Sequence, residues 1–201
     1  MLNVSLSQSV SADVISELQK LLTSHRLLLF RNQGKISGAR QVEISQWWGP
    51  LQSTFYKHEA SPHPDVFRVS NDEIEGCTQV GRSGWHIDGS FMDSPFVIQT
   101  MHFHSVCSGG DTMFSPLKEL VQSLPGDTLS YWQRLFFESR SARSGGAVHP
   151  LVARHPFSGD PTMVFHCGPG QAFPWWGWRL CSRAGTHRFC VSIFVRRPAG
   201  V

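Results

Sequence analysis

A histidine and an aspartate two positions apart, His86 and Asp88, are the side chains of this chain best suited to hold a metal ion together. On a β-strand, residues i and i+2 point to the same face, so a strand over residues 85–91 would direct both side chains to one side. A neutral imidazole nitrogen and a carboxylate oxygen are two of the three protein ligands of a two-histidine, one-carboxylate iron site. Such a site leaves positions open for a cosubstrate and oxygen, so His86 and Asp88 are candidate metal ligands.

The chain contains a second pair with the same spacing, His63-Pro64-Asp65, so spacing alone does not identify a site. With ten histidines and eight aspartates in 201 residues, about 0.4 such pairs are expected by chance. Proline lacks the N–H that a sheet ladder needs, so the second pair is predicted to lie in a loop. Residues 85–91 instead contain strand-forming residues between two glycines. The alternative for His86 and Asp88 is an ordinary hydrogen-bonded pair at a strand end.

Length and composition restrict the class of protein. The chain has 201 residues and is 40% hydrophobic, which is enough for one domain with a sizeable core. Its longest wholly apolar run, residues 27–30, is far too short to cross a bilayer, so no membrane partner is expected. Five cysteines without a C-x-x-C pair indicate a reducing, cytoplasmic setting. A net charge of +3 is too weakly basic to indicate nucleic-acid binding. The oligomeric state cannot be predicted from these features.

The hydrophobic pattern predicts an α+β protein that is mainly β, an antiparallel sandwich or jelly roll with flanking helices. Apolar residues at helical spacing, together with cap and stop residues, predict three helices. Period-two alternation or short apolar runs predict the strands. The predicted helices are 13–22, 39–48 and a third that begins at 115–116 and ends before Pro125, and the predicted strands are 27–30, 66–69, 85–91 and 96–106.

Six short motifs follow one another along residues 15–168. They are Leu29-Phe30-Arg31-Asn32-Gln33, Trp48-Gly49-Pro50-Leu51, Phe67-Arg68-Val69-Ser70-Asn71, the run 85–91, Gly109-Gly110-Asp111-Thr112-Met113-Phe114, and His149-Pro150-Leu151-Val152 with His155-Pro156. In this order they resemble the taurine dioxygenase family of iron(II), 2-oxoglutarate-dependent oxygenases. The resemblance supports a metal-binding role for His86 and Asp88 much more strongly than their spacing alone does.

The resemblance implies a double-stranded β-helix (jelly roll) and a 2-oxoglutarate-dependent dioxygenase. His86 and Asp88 would supply two of three ligands to Fe(II), and 2-oxoglutarate and O2 would occupy the open positions. A small organic molecule would be hydroxylated while 2-oxoglutarate is decarboxylated to succinate and CO2. Thr112 would bind the far carboxylate of 2-oxoglutarate through its hydroxyl, although a β-branched residue can also simply fill a strand. His149 and His155 match positions that serve packing or face the substrate.

The resemblance ends near His166, because the remaining chain has no carboxylate and no family-like ligand motif. In one interpretation His187 is the third metal ligand and Arg196 or Arg197 binds 2-oxoglutarate, with a strand predicted over residues 189–195. In the other, residues 1–168 are the dioxygenase domain and residues 169–201 are a divergent basic tail rich in tryptophan and arginine, which leaves the jelly roll incomplete at its C-terminus. A catalytically inactive relative that keeps the fold is then the alternative function.

Two further interpretations of the tail concern other classes of protein. A zinc site could form from thiolate and imidazole ligands, which would be supplied by Cys167, Cys181, His187 and Cys190. The arginines and tryptophans could also bind a nucleic acid through phosphate contacts and base stacking. The irregular spacing of the four candidate zinc ligands argues against the zinc site. The apolar residues around the arginines argue against nucleic-acid binding.

Overall fold

The computed structural model describes residues 4–52, 56–78, 84–106, 112–141, 144–167 and 189–195. The predicted combination of helices with antiparallel strands is confirmed. The chain divides into two compact units, the first formed by Met1–Gln79, Val97–Ser108 and Thr186–Val201 and the second by Val80–Phe96 and Gly109–Gly185. The elements are α1 Ala12–His25, α2 Gly38–Gln46, β1 Leu51–Gln52, β2 Phe67–Val69, β3 Ile98–Ser105, α3 Leu117–Gln122, α4 Gly126–Trp132, β4 Phe136–Ser141, β5 Ser144–Pro150, β6 Val152–Arg154, β7 Pro161–Met163 and β8 Phe189–Val195.

The two N-terminal helices lie close to their predicted positions. Helix α1 ends at Arg26, which adopts the left-handed conformation with φ 64° and donates its backbone N–H to the carbonyl of Leu22. Helix α2 begins after Ser37, whose side-chain oxygen accepts the N–H of Arg40 at 3.1 Å and so caps the first turn. Among the described residues, no helix is long and apolar enough to span a membrane.

Strand β8 organises the sheet of the first unit. It pairs antiparallel with β3 along one edge and with β1 and β2 along the other. The strands predicted over residues 66–69, 96–106 and 189–195 are therefore confirmed as β2, β3 and β8. Val66 is 1% exposed and packs against Val42 and Leu51. The fully buried hydroxyl of Ser45 donates to the carbonyl of Gln41 and lies 2.7 Å from the hydroxyl of Thr100, which links α2 to β3.

The prediction of a buried strand over residues 27–30 was wrong. These residues have no regular structure, and the side chains of Leu27 and Leu29 are 49% and 71% exposed. An apolar run forms a strand only when another strand pairs with it, because strand stability comes from cross-strand packing. The left-handed turn at Arg26 directs the chain out of α1 into a segment that has no such pairing within the described part of the structure.

The second unit consists of short helices and two antiparallel hairpins. Strand β4 pairs with β5, and β6 pairs with β7. Helix α3 begins where the Ser115-Pro116 pair predicted, with Pro116 as its N-terminal cap. Val121, Leu151 and Met163 form the buried core of this unit, with the half-buried side chains of α4 and β6 packed around them. This core supports the hairpins that carry His149 and His155.

His155, between β6 and β7, is expected to make the protein less stable in acid. Burial lowers the pKa of His155 below its ordinary value of 6.5, and the charge of Asp160 only partly opposes this. Its Nδ1 accepts the backbone N–H groups of Phe157 and Ser158, and a protonated Nδ1 could not accept them. Since the unfolded chain binds the proton more readily, stability is fully present above the unfolded pKa and is lost as the pH falls through it.

The variant His155→Asn tests this dependence, because an amide oxygen can accept the same N–H groups without titrating. We expect the melting temperature of the variant to fall less than that of the wild type as the pH is lowered from about 8 to about 5. Thermal unfolding followed by circular dichroism measures the difference. An equal decrease in melting temperature in the two proteins would contradict the assignment of this pH dependence to His155.

Candidate metal centre

The backbone on both sides of His86 pairs with a distant segment of the second unit. His86 and His166 form an isolated antiparallel bridge. The N–H of Ile87 donates to the carbonyl of Phe165 at 3.1 Å, and the N–H of Cys167 donates to the carbonyl of Trp85 at 2.7 Å. In this pattern His86 and His166 lie directly opposite each other as a non-hydrogen-bonded pair, the closest side-chain arrangement that antiparallel strands offer.

The pairing requires a glycine at position 84. A Cβ atom added to Gly84 would lie 2.2 Å from the backbone oxygen of Cys167. No side chain fits in that space, so only a glycine lets the two segments approach within hydrogen-bonding distance.

The prediction of a strand over residues 85–91 was wrong beyond this bridge. Residues 88–91 form a turn in which Gly89 has a φ of 77°, a left-handed conformation that glycine adopts without strain. The N–H of Met92 closes the turn by donating to the carbonyl of Gly89 at 2.9 Å. The side chains of His86 and Asp88 nevertheless converge, because His86 Nε2 lies 3.2 Å from Asp88 Oδ1.

The protonation of His86 follows from its second nitrogen. Nδ1 lies 2.8 Å from the carbonyl oxygen of Gly84. A carbonyl can only accept, so Nδ1 carries a proton, and the second nitrogen, Nε2, faces Asp88 with a lone pair in the neutral ring or with an N–H in the protonated ring. A backbone carbonyl that orients a ligand histidine in this way is a common feature of protein metal sites.

A metal ion fits this pair of atoms. A lone pair and a carboxylate oxygen at 3.2 Å repel each other unless a proton or a cation lies between them. Two donors bound at right angles to one metal, each at about 2.1 Å, lie about 3 Å apart. The distance in the structure is compatible with two adjacent ligands of one ion and also with a hydrogen bond from a protonated Nε2, and side chains that are 27% and 36% exposed would leave such an ion accessible.

His166 is a site residue that the sequence did not indicate. Its ring stacks on that of His86, with the centroids 5.0 Å apart and the planes inclined by 28°. Burial lowers the pKa of His166, the neighbouring His86 lowers it further, and Asp88 opposes the shift. The neutral ring therefore forms one wall beside the His86–Asp88 pair. No signal in the local sequence places His166 opposite His86, because the two residues belong to segments far apart in the chain.

Of the remaining residues predicted to bind iron or 2-oxoglutarate, the described structure includes only Thr112. Thr112 is exposed. His187, Arg196, Arg197 and Cys181 lie outside the described residues, as do the residues just before Thr112. Within the described ranges, no group of three or more His, Cys, Asp and Glu side chains could hold a metal ion. The third ligand and the 2-oxoglutarate contact stay predictions.

Comparison with known families identifies the chain. The sequence profile of the taurine catabolism dioxygenase TauD, TfdA family matches residues 2–191. The chain belongs to this family. The resemblance found in the sequence motifs is thereby confirmed, and the TauD, TfdA match continues past residue 168 into β8. The division of the chain at residue 168 stays a prediction.

Solved structures show the same fold. A taurine dioxygenase from Burkholderia xenovorans has a TM-score of 0.74 at 16% identity, covering 97% of this chain and 85% of that one. A second Burkholderia xenovorans protein, classed as an alpha-ketoglutarate-dependent taurine dioxygenase, has a TM-score of 0.70 at 20% identity, with 97% and 84% covered. AAD-2, solved with Mn(II) and N-oxalylglycine, has a TM-score of 0.63 at 14% identity, with 99% and 86% covered. No curated protein sequence matches the chain.

Proposed function

We propose that this TauD, TfdA-family chain is an Fe(II)- and 2-oxoglutarate-dependent dioxygenase that hydroxylates a small organic molecule. The observation that carries the proposal is the position of His86 Nε2, which lies 3.2 Å from Asp88 Oδ1 while Nδ1 of the same ring donates to the carbonyl of Gly84. The similarity to AAD-2, which was solved with Mn(II) and N-oxalylglycine, supports both a divalent metal and a 2-oxo acid. The double-stranded β-helix is the fold that we expect the described strands to belong to.

Each residue of the site has a separate task in this proposal. His86 and Asp88 bind the metal, and Gly84 orients the imidazole so that Nε2 cannot turn away. The ring of His166 shields one side of the pair from water because it stacks on His86. Thr112, whose side chain is exposed, binds the far carboxylate of 2-oxoglutarate through its hydroxyl, and His187 is the candidate third ligand.

When bound, Fe(II) and 2-oxoglutarate supply the oxidising chemistry, in which O2 yields a hydroxylated product, succinate and CO2. The chain itself orients the reactants and excludes water. Its substrate is a small organic molecule, in keeping with the two taurine dioxygenases that share its fold.

The experiment that tests the proposal adds Fe(II) and 2-oxoglutarate to the protein without oxygen. We expect a weak visible charge-transfer band, because the keto acid chelates a metal held by His86 and Asp88. Admitting oxygen should then produce succinate, which chromatography measures. Absence of both the band and succinate would contradict the proposal. A band without succinate would show a metal centre that does not turn over, as in an inactive relative.

A further inference from the structure

The position of Asp88 depends on a tightly packed turn. Asp88 is the first residue of the turn at residues 88–91, and directly after Asp88 the N–H of Met92 donates to the carbonyl of Gly89. A Cβ atom added to Gly89 would lie 2.8 Å from the backbone nitrogen of Phe96, and Ser90 is 1% exposed. The backbone of Asp88 is therefore anchored by this turn, and a displacement of the turn would move the carboxylate relative to His86.

A buried histidine on a different hairpin holds the end of that turn. His149 of β5 is 8% exposed, and its Nε2 lies 2.8 Å from the carbonyl oxygen of Met92. The carbonyl accepts, so Nε2 carries the proton and donates it. The contact joins residues far apart in sequence, and its acceptor belongs to the backbone of the residue that closes the turn.

The surroundings of His149 argue that this donor is more than a packing residue. Strand β5 directs Ala147 and His149 inward, and Phe137 faces His149 across the hairpin. Phe137 is 3% exposed and Ala147 is 2% exposed, so this face of the hairpin is an apolar interior. An apolar side chain would fill such a position at a lower desolvation cost than an imidazole. Unlike an apolar side chain, the imidazole can donate a hydrogen bond to the carbonyl of Met92.

We propose that His149 is a positioning residue of the metal centre, which keeps Asp88 at ligand distance from His86 by holding the carbonyl of Met92. This inference rests on the proposed function, since it concerns the same metal. It assigns His149 no contact with the metal. The coupling must be reciprocal, because a turn held by His149 binds the metal better and a bound metal must stabilise the contact with His149 to the same extent.

The test compares the affinity of the full chain for Mn(II), measured as free Mn(II) by electron paramagnetic resonance. His149→Leu and His149→Asn should each weaken binding about 10-fold or more, the usual effect of losing a group that orients a metal ligand. Asparagine is included because its amide is too short to reach Met92. His149→Gln should bind nearly as the wild type does, because the glutamine amide nitrogen reaches the position of the imidazole Nε2.

The matched control is Phe137→Leu, which removes volume from the same buried face beside His149. It should lower the melting temperature and leave the Mn(II) affinity unchanged. A purely structural role for His149 predicts instead that affinity follows stability in all four variants. Affinity that is lost in Phe137→Leu as much as in His149→Asn would therefore overturn the proposal.

The remaining outcomes separate this inference from the proposed function. A wild-type chain that does not bind Mn(II) contradicts the proposed function itself. Wild-type affinity in the leucine and asparagine variants overturns the role of His149 alone, as does a glutamine variant as weak as they are. If those two variants do not fold, the exchange rate of the His149 Nε2 proton in the wild type decides. Nuclear magnetic resonance should show slower exchange with Zn(II) added, and an unchanged rate would overturn the proposal.

Discussion

Alanine in place of His86 abolishes the visible band that Fe(II) and 2-oxoglutarate are expected to form with the wild-type protein. The substitution removes the nitrogen of a two-donor set, and Asp88 alone cannot orient the ion. The loss of affinity should exceed the roughly 10- to 100-fold that follows from removing a group that only orients a ligand. An anaerobic titration with Fe(II) in the presence of 2-oxoglutarate measures it.

The second His-x-Asp pair provides the matched control, His63→Ala. His63 Nδ1 accepts the backbone N–H of Asp65 at 3.1 Å, so the lone pair on the nitrogen nearest the carboxylate is already used. The Asp65 oxygen lies 3.7 Å from that same nitrogen, and a metal would have to displace the N–H to bind there. His63→Ala should therefore leave the band unchanged. A band that survives His86→Ala, or one that is lost in His63→Ala, would contradict the assignment of the site.

Replacing Gly84 by alanine is expected to have the next largest effect. The new Cβ would lie 2.2 Å from the backbone oxygen of Cys167, which cannot rotate away as a side chain could. The two segments must separate, which breaks the hydrogen bonds that flank the His86–His166 pair and displaces the carbonyl that orients His86. We expect the free energy of unfolding to fall by about 1 to 3 kcal/mol, the usual cost of overpacking. Mn(II) affinity should fall with it.

Gly126→Ala is the matched control for this change. Gly126 is the first residue of α4, and a Cβ atom added there meets nothing within 4 Å. Alanine favours a helix more than glycine does, so this variant should be as stable as the wild type or slightly more stable. Chemical denaturation and the Mn(II) titration measure both variants. A Gly84→Ala protein with wild-type affinity would show that the paired segments do not position His86.

Local sequence patterns predicted the elements whose stability is local. Helix α1 begins after Ser11, helix α2 ends before the Gly49-Pro50 pair, and β3 follows the period-two alternation of residues 96–106. The same reasoning failed at residues 27–30, where the apolar run has the composition of a strand and yet Leu29 is 71% exposed. An apolar composition makes a segment suitable for a strand. Whether the strand forms depends on a pairing partner from another part of the chain.

For His86 and Asp88 as well, the sequence predicted one part of the arrangement and the tertiary structure decided another. The sequence identified His86 and Asp88, separated them from the pair that contains Pro64, and led through the ordered motifs to the TauD, TfdA family. The strand that was predicted to align the two side chains is replaced by one bridge and a turn at Gly89. The side chains converge because the turn folds Asp88 back toward the imidazole, and a period-two argument could not foresee that.

The sequence by itself identified the family to which the chain belongs and the two residues proposed as metal ligands, because residue types, their spacing and the order of motifs can be read along the chain. Only the tertiary structure decided that Nδ1 of His86 contacts the carbonyl of Gly84, that His166 stacks on the ring of His86 and that His149 contacts the carbonyl of Met92. The last two depend on groups brought together from distant segments. Such contacts are made by the packing of the second unit, and no local pattern in the sequence encodes them.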